Sequence, residues 1–557
     1  MFKKECDHMK LKKNGFVQGA FIATICIIIS KILGILYVSP FYNIIGEENG
    51  ALYGYAYTVY NLFLMLASVG FPLGMSKIVS EYTALGYYKT KEKAYKLISK
   101  ISIIMSFIIF LILFFFAPVL AKLIIGNIQG PDSLRDIVFV IRVISTAIII
   151  VPYLAIARGY LQGHKYIAPT SISQIVEQFI RVIVILTGSY LFMNVFKMPI
   201  RYVVGIALFG ATLGALAALI YILIKVKKTG KELPPKEEIN EEEKDISNRE
   251  ILKKMFMYSI PFIMISIATS IYEFINIAAV NRAMIEILGY TIEEANGVIA
   301  VLSTWGNKLN SIVQSISTGI ITSLIPALTY SFSKKKHDDV KKKINQTIQV
   351  FIYVALPLTV LLSVLAYPVF YAFYGDNTWG PIVFRFSIFL AFFGGLANTT
   401  VIMLQSFNKH KMVLFSLLTG VILNAILNIP LMLLVQHLGY YAFYGSILAS
   451  VISYSITSLI AVLYMRKKIE VGYRDTFMQC IKIVFSIIVM CLVILGLNEV
   501  FTFNVPGRMD TILRCGLYGI IGMGIYGLLT YKLKVVDKVF GDKLLDKIFA
   551  KFKKGKV

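Results

Sequence analysis

Long apolar runs recur from one end of this chain to the other. A helix rises about 1.5 Å per residue, so about 20 apolar residues cross the ~30 Å hydrocarbon layer of a bilayer. The chain has 557 residues, of which 57% are hydrophobic and 16% charged, whereas soluble domains average about 25% charged residues. Inside lipid every backbone N–H and C=O group must be bonded within the protein, which favours helices. The sequence therefore predicts an all-α, multi-pass protein of the cell membrane.

We predict fourteen transmembrane helices from the apolar runs. Their ranges are 16–44, 52–79, 97–121, 137–160, 168–194, 201–225, 252–281, 298–331, 345–374, 380–405, 411–436, 441–465, 476–499 and 511–531. Tyr53, Tyr82 and Tyr440 lie near the ends of these runs. Tyrosines in such positions are typical of anchors at the membrane–water interface.

The net charge of +25 could indicate a nucleic-acid partner, but the position of the basic residues favours another interpretation. They lie mostly in short segments between spans, as in 89–100 and 334–343 and in the tail from Lys532. Basic loops of this kind stay in the cytoplasm. We therefore expect both termini in the cytoplasm, membrane lipids as neighbours and no nucleic-acid partner.

A polar segment rich in Glu and Lys, with Pro234 and Pro235 inside it, separates the sixth predicted span from the seventh. Weak repeats on either side, such as Leu161-Gln162 and Leu404-Gln405, predict two six-helix lobes of like topology around a central cavity. Two further helices follow the second lobe. The predicted divisions are an N-lobe at 1–225, a linker at 226–251, a C-lobe at 252–465, the last two helices at 466–531 and a basic cytoplasmic tail at 532–557.

The stretch from Ala157 to Arg181 carries polar side chains into the fifth predicted span. Ser173, Glu177 and Arg181 follow one another at spacings of four, so they share one helix face. A charge in hydrocarbon costs at least about 2.5–3.5 kcal/mol, so this face must meet protein or water. Two interpretations remain open: an i,i+4 pair of Glu177 and Arg181 that locks helices together, or the lining of a cavity.

Other polar residues within spans are candidates for the same cavity. Lys31 and Lys308 are the most informative, because a deep cation persists only beside a carboxylate or an anionic ligand. Glu273 could be that carboxylate, which leaves the choice between ligand and ion pair open. Arg142 lies near the outer end of its span, where snorkelling explains it. The five cysteines have no metal-ligand spacing, and we predict no catalytic residues and no metal site.

Several of these segments resemble a known family. The motif RGYLQGHKYIAPTSISQIVEQFIR, residues 158–181, resembles the signature of stage V sporulation protein B and related exporters, which belong with the MurJ lipid II flippases in the MOP superfamily. SKILG at Ser30–Gly34 and NKLNSIVQSISTGIITSLIPAL at Asn307–Leu328 are similar to two MurJ helices. ILNAILNIPL at Ile422–Leu431, followed by ILAS at Ile447–Ser450, resembles two later ones.

The resemblance implies a flippase. Such a protein turns a polyprenyl pyrophosphate carrying a sugar or muropeptide from the inner to the outer leaflet by alternating access. Cationic cavity residues would meet the pyrophosphate, and the last two helices would help to form a groove for the lipid tail. The substrate-binding candidates are Lys31, Glu177, Arg181 and Lys308, and we expect a monomer with a lipid-linked oligosaccharide or muropeptide as its partner.

This sequence departs from the MurJ pattern at several points. Tyr37 stands where a second first-helix arginine is expected, and lysine replaces arginine at Lys31 and Lys308. Lysine lacks the bidentate fork that suits phosphate. These departures favour the sporulation-protein-like subgroup and leave the identity of the headgroup open.

The energy source has three candidates. The sequence contains no G-x-x-x-x-G-K-[ST] phosphate loop, so direct ATP hydrolysis is not expected. Some MurJ relatives resemble this chain at Glu273, Asn424, Asn428 and Ser450 in having a sodium site there, which implies sodium as a possible coupling ion and no other cofactor. Interhelical hydrogen bonds of the asparagines are the alternative. Membrane potential could also act on the cavity charges.

The sequence leaves two alternative functions. A multidrug or cation antiporter of the same superfamily should have an acidic, aromatic cavity, which the deep lysines disfavour. A membrane glycosyltransferase should carry acidic catalytic residues on substantial outer loops, whereas the predicted outer loops are short. We therefore expect a transporter and no enzyme.

Overall fold

The computed structural model describes residues 26, 29–30, 33–34, 36–68, 71–125, 134–164, 166–229, 246–333, 336–407, 409–500 and 507–540. Within these residues the regular elements are helices, numbered here in chain order. They are α1 Val38–Ile45, α2 Asn49–Ser68, α3 Phe71–Ala84, α4 Tyr88–Ile125, α5 Leu134–Gly163, α6 Ile167–Ile183, α7 Ile200–Thr229, α8 Asn248–Asn281, α9 Ile292–Ala300, α10 Gly306–Ser333, α11 His337–Val364, α12 Ala366–Tyr374, α13 Gly380–Ser406, α14 His410–His437, α15 Phe443–Ile469, α16 Arg474–Val500, α17 Arg508–Lys532 and α18 Val535–Phe540.

Ten helices within the described residues are long and apolar enough to cross a membrane. They are α4, α5, α6 with its extension to Val195, α7, α11, α13, α14, α15, α16 and α17. The extension of α6 contains π-helical turns at Val184–Gly188 and Leu191–Val195. The all-α, multi-pass class is thus confirmed. The total of fourteen spans stays a prediction, and most of the first predicted span lies outside the described residues.

The chain forms two compact units, Met1–Thr304 and Trp305–Val557. In the first unit, α5 packs against α2, α3, α4 and α7, and α6 packs against α7. Helix α8 packs against α2, α3 and α4. The sequence predicts that α8 belongs to the second lobe, whereas its packing contacts group it with the first unit. The division into two six-helix lobes stays a prediction.

In the second unit, α10 packs against α11 and α13, and α14 pairs with α15, which also contacts α13. Helices α16 and α17 pack against each other, and α11 contacts both of them. The short helix α18 closes one end of this group, with Val535 and Val539 fully buried. The last two predicted spans, α16 and α17, therefore pack against the second unit through α11.

Proline creates polar contacts between helices in both units. A proline has no N–H, so the carbonyl four residues earlier loses its helical donor. In α4 Pro118 affects the Phe114 carbonyl, which accepts a 3.1 Å hydrogen bond from Arg142 Nε of α5. The sequence explains Arg142 by snorkelling toward the membrane interface. In the structure its Nε also binds a carbonyl of the neighbouring helix. In lipid a neighbouring helix must supply such a replacement donor.

The same device occurs in the second unit. Pro357 lies inside α11, and the Tyr353 carbonyl four residues earlier accepts a 2.8 Å hydrogen bond from Tyr526 Oη of α17. The rings of Tyr353 and Tyr526 also contact each other, with centroids 5.4 Å apart. A proline in α11 thus determines where α17 attaches.

The tyrosines expected at the membrane interface divide into two groups. Tyr440 is 64% exposed, as an interface anchor should be, but Tyr53 and Tyr82 are 4% and 0% exposed. The latter two pack against protein, so the prediction that they face the membrane interface is wrong.

Candidate functional site

The polar face of α6 forms an ion-pair cluster with α5 in the first unit. Glu177 Oε1 lies 2.9 Å from an Nη atom of Arg181, and Glu177 Oε2 lies 2.9 Å from an Nη atom of Arg158. The three side chains are only 15–17% exposed. The i,i+4 pair of Glu177 and Arg181 is therefore present, and a second arginine, from α5, shares its carboxylate.

Arg158 is held by two partners. Its Nε donates to Ser173 Oγ at 2.8 Å, in addition to its ion pair with Glu177. Ser173 in turn donates to the Thr170 carbonyl at 2.6 Å. Because α6 supplies both Ser173 and Glu177, four residues apart on one face, Arg158 ties the end of α5 to α6.

Arg181 is held less completely. Within the described residues its Nε is buried and makes no hydrogen bond. A guanidinium carries five N–H donors, so Arg181 can still donate to a further acceptor. The hydroxyls of Tyr57, Tyr60 and Tyr53 on α2 lie close enough to interact with it electrostatically. With two arginines and one glutamate, the cluster carries a formal charge of +1 and can accept an anion.

Close packing fixes the backbone beneath the cluster. A Cβ atom on Gly214 of α7 would lie 2.5 Å from the Glu177 carbonyl oxygen. A Cβ on Gly210 would lie 3.1 Å from the Arg181 carbonyl oxygen. Glycine at these two positions lets α7 approach α6 directly under the charged residues, which limits how far the backbone at Glu177 and Arg181 can move.

A second polar cluster joins α3 and α8. Glu81 accepts hydrogen bonds from Lys254 at 2.9 Å and from Tyr258 at 3.2 Å. The Lys77 Nζ atom lies 4.0 Å from the centre of the Tyr258 ring. These contacts attach α8 to α3 at the end of both helices that the predicted topology places in the cytoplasm.

The other predicted site residues lie in different parts of the structure. Lys31 lies outside the described residues. Glu273 lies on α8 in the first unit, whereas Lys308 begins α10 in the second. Both are partly buried. Their proposed roles stay predictions.

The predicted sodium ligands of the second unit lie on two paired helices. Asn424 and Asn428 on α14 and Ser450 on α15 are all 0% exposed. Ser450 Oγ donates to Asn424 Oδ1 at 3.1 Å. Gly445 allows α15 to contact the backbone of α14 at Leu431. The interhelical hydrogen bond expected as the alternative to a sodium site is therefore present, and sodium stays a prediction.

Sequence reasoning assigned no site role to Arg158 or to the tyrosines near Arg181. Tyr53, Tyr57 and Tyr60 are spaced by four and three residues, so one face of α2 carries all three. That spacing is a pattern from which a shared tyrosine face could have been predicted. No local pattern indicates the contact of Arg158, because it lies 19 residues from Glu177 and a turn separates the two.

Comparisons with known proteins identify the family of this chain. A family described as "Polysaccharide biosynthesis protein" matches residues 16–332, and the MatE family matches residues 297–429. The chain is 29% identical to the lipid II flippase MurJ of Bacillus subtilis (strain 168), over 95% of this chain and 97% of that protein. It is 24% identical to stage V sporulation protein B of the same organism, over 67% of this chain and 69% of that protein.

The fold also matches a solved structure. The lipid II flippase MurJ in an inward closed conformation superposes with a TM-score of 0.65, covering 92% of this chain and 98% of that one at 15% identity. At this identity the match concerns the fold alone.

Proposed function

Since the chain belongs to the polysaccharide biosynthesis protein family, within the MOP superfamily of transporters, we propose that it is a flippase for a lipid-linked precursor. The cargo would be a polyprenyl pyrophosphate that carries a cell-wall or polysaccharide unit, as lipid II does. The protein would move it from the inner to the outer leaflet by alternating access.

The observation that carries this proposal is the buried cationic cluster around Arg181. A pyrophosphate offers several anionic oxygens, and an arginine fork is suited to bind them. The cluster has a formal charge of +1, and the Nε donor of Arg181 makes no hydrogen bond within the described residues. Glu177 would hold Arg181 in place, and Lys31 and Lys308 stay candidates from the sequence for binding the same headgroup.

The comparisons support the same substrate class. A named lipid II flippase aligns with the chain over nearly its whole length. The similarity to a named flippase and the family match support a transporter and not an enzyme, as the sequence predicts. The similarity to stage V sporulation protein B supports a role linked to sporulation for the same cargo.

A cation or multidrug antiporter is the second candidate, because the MatE family matches residues 297–429. A cationic substrate would need a carboxylate that is not already neutralised. In the cluster described above, Glu177 is paired with two arginines. The sign of the charge therefore favours an anionic cargo.

For the energy source we propose sodium or the membrane potential. The amide and hydroxyl oxygens of Asn424, Asn428 and Ser450, with the carboxylate of Glu273, are ligands that suit a hard cation. The membrane potential alternatively supplies about 2.3 kcal/mol per charge per 100 mV. Sodium would then be the coupling ion, with its ligands drawn from the residues that the sequence suggests.

Complementation tests the function. The chain is expressed in a bacterium depleted of its own lipid II flippase, and growth and accumulated lipid intermediates are measured. We expect growth with the parent chain and not with R181Q. R282Q is the matched control, because Arg282 forms an i,i+4 pair with Glu286 and is 68% exposed. Failure of the parent chain to restore growth, with lipid II still accumulating in the inner leaflet, would contradict a lipid II-like cargo.

The proposed direction of transport requires the predicted orientation, with both termini in the cytoplasm. Single cysteines introduced near Glu48 and Asn377 should react with an impermeant reagent added from outside. A cysteine near Lys335 should react only after the membrane is permeabilised. Labelling at Lys335 in intact cells would overturn the topology.

A further inference from the structure

Glu177 divides its two carboxylate oxygens between two arginines that are held very differently. We propose that Glu177 is a resident counter-ion, which the anionic group of the cargo displaces from Arg181 but not from Arg158. This inference rests on the proposed function, because it places an anion at Arg181. It assigns Glu177 a part in the release of cargo as well as in folding.

The two arginines are held differently. Arg158 keeps a second bond, from Nε to Ser173 Oγ at 2.8 Å, and Ser173 is anchored to the Thr170 carbonyl. Arg181 has its Nη contact with Glu177, and its buried Nε makes no hydrogen bond in the described part of the chain. An incoming anion therefore meets an Nε donor of Arg181 that makes no hydrogen bond within the described residues, whereas the Nε of Arg158 already donates to Ser173.

In the empty transporter Glu177 keeps Arg181 paired. An unpaired cation within the membrane is costly. With Glu177 in contact at 2.9 Å, Arg181 stays paired when no cargo is bound. When the anion arrives, Arg181 exchanges one acceptor for another, and Glu177 keeps its ion pair with Arg158.

Glu177 also favours release of the cargo. A transport site must bind its cargo strongly enough to load and weakly enough to unload. The carboxylate of Glu177 competes for Arg181 and repels a neighbouring anion. Both effects lower the affinity of the site, so Glu177 would return to Arg181 as the cargo leaves.

The test uses the full-length protein purified in detergent, with inorganic pyrophosphate as the probe. A ligand that binds only the folded state raises the melting temperature, and the stabilisation grows with the logarithm of the ligand concentration divided by Kd. E177Q keeps the shape of the side chain and removes its charge. We expect E177Q to bind pyrophosphate at least about tenfold more tightly than the parent, because a unit charge a few ångströms away is worth more than one decade in affinity.

A charge-matched variant separates competition from net charge, and it guards against misfolding of E177Q. The double variant R158Q/E177Q has the same formal charge as the parent cluster but leaves Arg181 without its competitor. We expect it to bind pyrophosphate more tightly than the parent. If E177Q binds more tightly and the double variant binds like the parent, net charge alone explains the gain and the exchange is refuted.

Two further variants complete the test. E286Q makes the same substitution in the exposed i,i+4 pair with Arg282 and should bind pyrophosphate like the parent. R181Q should lose the stabilisation by pyrophosphate. If R181Q keeps it, the anion site of the proposed function is wrong. If R181Q loses it while E177Q and R158Q/E177Q bind like the parent, the anion site stands and the exchange is overturned.

Discussion

Helix α17 is attached to α11 by a hydrogen bond that a proline makes necessary. Pro357 removes the N–H that would bond the Tyr353 carbonyl, and Tyr526 Oη replaces it at 2.8 Å. Tyr526 is 2% exposed, so water is not a ready substitute. We predict that Y526F, which keeps the ring and removes the donor, destabilises the second unit.

The expected cost is about 1–2 kcal/mol. A buried acceptor that loses its donor costs about 1–3 kcal/mol, but hydrogen bonds between membrane helices average nearer 0.6 kcal/mol, because partners also exist in the unfolded state. The ring contact with Tyr353, with centroids 5.4 Å apart, is kept in the variant. The loss therefore reports the hydrogen bond.

A double-mutant cycle tests this reasoning. P357A supplies the missing N–H to the Tyr353 carbonyl, so Y526F should cost at least about 0.5 kcal/mol less in the P357A background than in the parent. The assay is reversible unfolding of the purified protein in mixed micelles, followed through its helical signal. Equal costs in the two backgrounds would refute the idea that Tyr526 compensates for the proline.

Three further predictions follow from other parts of the structure. R142M should be tolerated better in the P118A background, because alanine restores the helical donor to the carbonyl that Arg142 Nε binds; equal melting-temperature losses in both backgrounds would contradict this. Glu48 is exposed at the surface, but partial desolvation and secondly the charge of Glu293 raise its pKa. The folded state therefore holds the Glu48 proton to higher pH than the unfolded state, and stability falls as pH rises through this window. E48Q should therefore melt higher than the parent at neutral pH and equally near pH 4; a constant difference at all pH values would argue against it. If sodium binds, replacing potassium by sodium should raise the melting temperature of the parent and not that of E273Q; a parent indifferent to sodium would rule the site out.

The sequence by itself determined the class of the protein and much of its site. Apolar runs are local, so their lengths predicted membrane helices that the structure contains, such as α4 and α13. The pair of Glu177 and Arg181 was predictable because a helix brings residues four apart together. The family resemblance rested on the motif that includes this pair, and the match to the polysaccharide biosynthesis family confirms it.

Tertiary structure decided the contacts that join separate helices. Arg158 reaches Glu177 across a turn, and Tyr526 reaches the Tyr353 carbonyl over 173 residues. Such pairings depend on how helices pack, and no local pattern encodes them. Compactness likewise groups α8 with the first unit, although a charged linker precedes it. The physical reason is that one helix alone fixes which of its own side chains share a face. The partner of a buried charge, or of a carbonyl freed by a proline, depends on all the helices packed around it.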